Sequence, residues 1–144
     1  MGWFMIKQIM ILFAAMMFVS QVSAIEKNQI NLDQIFWGNW LITNPSNSCT
    51  EKYQFKKPGQ FIYQTQKKQL TGDFAVVRQD SNEKLDILVL DIQKDNGLAG
   101  CAGDMNNYQG KKSNFSLKWI TQSSAEICTD DIGKECTGLY LNKK

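Results

Sequence analysis

The sequence predicts an all-β domain: a small antiparallel up-and-down barrel of seven or eight strands, with a short N-terminal helical turn and two disulfides. Three observations carry this. Short segments of alternating polarity follow one another, separated by turn signals about every 8–12 residues. No strand–helix–strand alternation occurs, so a parallel sheet is not expected. Four cysteines, an even number, stand behind what reads as a secretory leader. A two-sheet sandwich is the alternative the same alternation allows.

The chain has 144 residues, 43% hydrophobic and 21% charged, which fits one compact domain. Residues 1–24 read as a signal peptide. Lys7 precedes an apolar run from Ile9 to Val19, and Val22-Ser23-Ala24 supplies the small-x-small cleavage pattern. A bilayer-spanning helix needs about 20 apolar residues, so this run is too short to be an anchor. The expected mature domain is 25–144, exported to the periplasm or the extracellular space, with no membrane insertion after cleavage.

Within it, Leu32 to Phe36 suits a short helix or 3₁₀ turn, with Ile35 and Phe36 as an apolar plug. A strand is expected at 39–43, and Asn44-Pro45-Ser46-Asn47-Ser48 is a strong turn signal. Residues 49–56 alternate, with Cys49, Glu51, Tyr53 and Phe55 on one face. Pro58-Gly59 turns the chain into a strand carrying Phe61, Tyr63 and Thr65. Thr71-Gly72 reads as the turn introducing a strand at 73–79. The most apolar strand, 85–93, is expected to be buried on both faces or shifted by a bulge. Residues 95–112, with four glycines and Cys101, read as a long irregular loop. A clean strand at 113–121 puts Phe115, Leu117 and Trp119 on one face, and short strands at 126–128 and 137–141 end the chain.

The cysteines are Cys49, Cys101, Cys128 and Cys136. Metal binding would need closely spaced thiolates or histidines, and both are missing. Three connectivities are possible. The turn-like composition of 129–135 favours Cys128–Cys136, which leaves Cys49–Cys101 by elimination.

Histidine is absent, which excludes every catalytic or metal site built on it. The formal charge is only +2 and Arg78 is the single arginine, so no nucleic-acid partner is expected. Asp130, Asp131 and Glu135 lack calcium-loop spacing and read as a solvated turn. Asp95-Asn96-Gly97 and Gly103-Asp104 read first as turn chemistry and second as a ligand or calcium loop. Asp86 and Asp91 differ by five positions and should face opposite sides of their strand, which argues against a glycosidase pair. Lys56-Lys57 and Lys67-Lys68 read as solubilising surface charge before an anion site.

Gly38-Asn39-Trp40, on the first strand after a helical lead-in, resembles the G-x-W signature of lipocalins and the wider calycin barrels. The resemblance implies an eight-stranded barrel whose Trp40 closes one end. With Cys49 following and then Thr-Glu-Lys-Tyr-Gln-Phe, the layout is similar to the secreted bacterial inhibitors of alkaline metalloproteinases. That implies an inhibitor or partner-binding module acting on a secreted or envelope protein. Two features depart from that family. The chain offers two disulfides where the family has one, and Ile25-Glu26-Lys27-Asn28-Gln29 lacks its small-residue start. The reading is thus an exported, non-enzymatic binding protein without cofactor or metal. The alternatives are a carrier of a small apolar ligand in the barrel and a carboxylate-based hydrolase.

Overall fold

The computed structural model describes residues 25–144; the expected leader, residues 1–24, and its cleavage pattern lie outside the described residues. The elements are a 3₁₀ turn (Lys27–Gln29), α1 (Leu32–Ile35), β1 (Gly38–Thr43), β2 (Thr50–Lys56), β3 (Gln60–Thr65), β4 (Lys68–Val77), β5 (Asp86–Asp95), β6 (Lys112–Thr121), β7 (Ser124–Cys128) and β8 (Cys136–Lys143). Each strand is antiparallel to the next in chain order, and β8 pairs with β1 to close a barrel. Closure excludes the open sandwich and removes the free strand edges of an open sheet.

The inward-facing set follows the alternation. Register places Trp40 opposite Tyr53, Tyr53 opposite Tyr63, and Tyr63 opposite Leu70, so one layer of the core runs around four strands. Phe55 lies opposite Phe61 in the next layer. Leu88, Leu90, Ile92, Leu117, Trp119, Ala125, Ile127 and Leu141 complete the interior. Cys128 joins Cys136, as the turn composition favours, and Cys49 joins Cys101, the pair left by elimination.

Two expectations are corrected here. Thr71-Gly72 makes no turn: β4 begins at Lys68 and passes straight through it. The pairing steps from Gly72 opposite Ile92 to Thr71 opposite Lys94, which leaves Gln93 as an extra residue on β5. At this bulge the strands approach so closely that a Cβ on Gly72 would sit 1.9 Å from the Asp91 carbonyl oxygen. The glycine signals contact between backbones. The second correction is Lys68, which is buried (3% exposed) and is no solubilising charge. The apolar run of β5 buries one face only: Asp86, Leu88, Leu90 and Ile92 point in, while Ile87, Val89 and Asp91 are half-exposed.

One end of the barrel is sealed by the lead-in. Gly38 takes φ +113°, a conformation that glycine tolerates and that turns the chain into β1. Ile30 and Phe36 are buried beneath the core. The Phe36 ring stacks on Trp40 at 5.3 Å and meets the edge of Trp119 at 6.4 Å. Trp40 is fully buried, and its indole N–H donates to the Phe36 carbonyl at 2.9 Å. Asp86, also fully buried, accepts from Arg78 Nε at 3.0 Å, from Arg78 Nη2 at 2.9 Å and from Trp119 Nε1 at 2.9 Å. Arg78 Nη1 reaches on to the Ile30 carbonyl at 3.0 Å, tying the plug to the wall.

Candidate functional site

The sealed end is filled with aromatic rings, so space inside the barrel lies at the other end. There a cavity of about 220 Å³ opens among β2 to β6 and the 96–111 connection. Phe61, Leu70, Leu90, Ile92 and Phe115 line its apolar part, and Glu51, Tyr63, Lys68, Asp104 and Tyr108 its polar part. Alternation on β2 and β3 aims Glu51, Tyr53, Phe61 and Tyr63 at the same space. The remaining polar groups come from the long loop, which would not stay over the mouth by apolar packing alone.

Two ties hold that loop. Cys101 is joined to Cys49 at the end of the β1–β2 turn, and the Thr65 hydroxyl lies 2.9 Å from the Cys101 sulfur. The second tie is ionic. Lys68 Nζ donates to both Asp95 oxygens, at 2.9 and 3.0 Å, and to the Asn106 carbonyl at 3.0 Å. Asp95 also accepts the backbone N–H groups of Gly97 at 2.8 Å and Tyr108 at 2.9 Å. The side chains of this pair are 2% and 0% exposed. Burial alone would raise the Asp95 pKa. The bonds from the Tyr108 N–H, the Lys68 ammonium and the Gly97 N–H outweigh it and hold the carboxyl below its ordinary value. The Asp95-Asn96-Gly97 sequence is therefore a turn, as its composition suggests, and also the anchor of the loop.

Each carboxylate on the cavity lining is paired with a phenol. Tyr63 Oη donates to Glu51 Oε1 at 2.5 Å, and Tyr108 Oη donates to Asp104 Oδ2. Burial first, and then the bond to Glu51, raises the Tyr63 pKa; burial also raises that of Tyr53. For Tyr108 the bond to Asp104 is the leading cause of a rise, and the same bond leads in lowering Asp104. The phenols thus stay protonated donors, and the bond from Tyr108 favours the charged form of Asp104.

The other sequence candidates lie elsewhere. Gly38 and Trp40 belong to the sealed end. Cys128 and Cys136 lie opposite each other on β7 and β8. Glu126 approaches within 4.8 Å of their sulfurs, but these sulfurs form a disulfide and offer no thiolate to a metal. Asp130 accepts the Lys134 and Glu135 backbone N–H groups, as a turn residue does. Asp86 and Asp91 face opposite sides, so they form no catalytic pair. Sequence reading finds no serine with a lysine three residues on and so overlooks Ser81-Asn82-Glu83-Lys84, which has that spacing but forms the β4–β5 turn. There Ser81 Oγ accepts the Glu83 N–H, and Lys84 pairs with Asp131 on the surface. A recess of about 230 Å³ lies beside the lead-in. On that side Lys27 spends its ammonium on the Gln79, Ser81 and Lys84 carbonyls, as a clamp on the same turn.

Sequence reading missed Lys68 and Glu51 as members of one site. A signal was present: Glu51 shares the parity of Tyr53 and Phe55, which places a carboxylate on an inward face. No protein-family model, curated protein or solved structure matches the chain.

Proposed function

We propose that this is an exported, non-catalytic binding protein that takes a small ligand in the mouth of the barrel. The observation that carries the reading is the half-open cavity of about 220 Å³ under a loop fixed at two points. The disulfide and the buried ion pair together preorganise the loop as a fixed lining. Two disulfides fit the oxidising compartment that the leader sequence implies. The volume is below the roughly 300–1,000 Å³ of drug-sized sites, so the ligand is small, and the mixed lining suits an amphipathic molecule.

The metalloproteinase-inhibitor layout favours a protein partner instead, but the lead-in supports that reading poorly. Buried Ile30 and Phe36 fasten residues 25–37 to the sealed end, so among the described residues this segment is not a free arm. What favours a second, protein-binding reading is the pair of apolar side chains on the mouth loop, Leu98 at 48% and Met105 at 62% exposed.

Native mass spectrometry of the mature protein, recovered from the exported fraction, is expected to show a small-molecule adduct. The variant Ser113→Phe, which fills the mouth, should lose it. Bare polypeptide mass in every preparation would overturn the ligand reading. A stoichiometric protein partner, lost in Leu98→Ser/Met105→Ser, would put the second reading in its place.

A further inference from the structure

We infer that the mouth cavity selects a small organic cation, an ammonium group on a compact apolar or aromatic body. The inference deepens the proposed ligand site and rests on it.

The argument is a charge balance over the lining. Three charged side chains line the cavity: Glu51, Lys68 and Asp104. Lys68 is the only positive one, and all three protons of its ammonium are spent inside the wall, on the two Asp95 oxygens and the Asn106 carbonyl. Its charge is matched at close range by a carboxylate that water does not reach. To a ligand, Lys68 and Asp95 together are close to neutral. Glu51 and Asp104 remain. Among the described residues neither has a cationic side chain within ion-pairing distance. The nearest further cation in the loop is Lys111, whose ammonium lies over the Tyr108 ring at 5.7 Å and is not part of the lining.

The bonds from Tyr63 and Tyr108 orient the two carboxylates but add no charge. Glu51 keeps its second oxygen free of any side-chain donor. Across the same space stand the rings of Tyr53, Phe61 and Phe115, which attract cations by their faces and pack well against an apolar body. Two uncompensated carboxylates beside aromatic rings in a partly water-excluded cavity therefore favour a cation. An anion meets like charge, and a neutral molecule gains only the apolar part. A volume of about 220 Å³ suits a small amine.

The test uses three probes of one shape: phenethylammonium, 2-phenylethanol and phenylacetate, titrated calorimetrically into the mature protein. Phenethylammonium is expected to bind about tenfold tighter than the alcohol, with phenylacetate weakest. Salt should weaken the cation alone. Glu51→Gln and Asp104→Asn should each move the cation toward the alcohol. Melting curves confirm which of the two variants is folded, and one folded variant suffices. Equal or tighter binding of the alcohol or phenylacetate overturns the charge assignment and leaves the small-ligand reading standing. A folded variant that binds the cation as the parent does also overturns it. Binding by none of the three overturns the inference and the proposed site together.

Discussion

Trp40 shows how far a single side chain can be read before its fold is known. The G-x-W spacing and the parity shared with Ile42 assign it to the interior, and it is fully buried against Phe36 and Trp119. Trp37, one residue before Gly38, is half-buried, with its ring edge on Phe74 and the Lys57 ammonium over its face. Trp40→Ala is expected to cost about 3–5 kcal/mol by leaving a large cavity. Trp37→Ala should cost clearly less in the same thermal melt, and an equal cost would contradict the keystone role of Trp40. Asp86 could not be read this way. A carboxylate at the head of an apolar strand carries no local mark of its partner. Only the hairpin register, with Val77 opposite Ile87, brings the chain's single arginine beside it. The pair predicts an asymmetry. Asp86→Ala leaves a guanidinium that is 34% exposed and can still reach water, at about 3 kcal/mol. Arg78→Ala leaves a fully buried carboxylate with no counter-charge and should cost more. Chemical denaturation of both variants checks the order.

At the scale of elements, the strands were legible and the loop was not. Period-2 alternation needs only one buried face, and the barrel supplies one to every strand. The 96–111 segment has no periodicity, and its position depends on contacts far away in sequence. Lys67 and Lys68 are chemically identical neighbours, yet only Lys68 sits on the inward parity, where Asp95 waits 27 positions later. Thr71-Gly72 was misread for a related reason: a glycine needed for close backbone approach has the same sequence signature as a glycine needed for a turn. The loop's ionic tie makes an acid prediction. The folded pKa of Asp95 lies below its unfolded value, so its contribution is complete above the unfolded value of about 4. It fades as pH falls through the lower folded value. Loop 96–111 should therefore lose amide protection in acid, measured against the intrinsic exchange rate at each pH, while the sealed end stays protected. In Asp95→Asn that protection should already be low at neutral pH and change little on acidification. An unchanged exchange pattern in the variant would show that the disulfide alone holds the loop.

For the whole molecule, the meander joins only neighbours in sequence until β8 meets β1, so the closing seam is the one pairing that spans the full barrel. The same order governs the sulfurs. The first cysteine pairs with the second and the third with the fourth, and neither loop encloses the other. A chain that enters an oxidising compartment N-terminus first presents Cys49 and Cys101 before Cys128 and Cys136 follow. An oxidase that joins cysteines in order of arrival then makes both native bonds without a wrong intermediate. On the proposal that the chain is exported, its oxidation should accordingly need a thiol oxidase and be indifferent to loss of a disulfide isomerase, as measured by the yield of protein without free thiols in strains lacking one or the other. Substituting Cys101 by Ser should create that dependence, read in this variant as the yield of the Cys128–Cys136 bond by mass mapping, since Cys49 then has no native partner. Cys49 would then wait unpaired as the last two cysteines arrive, and the cell would have to undo the mispairings that the native order never makes.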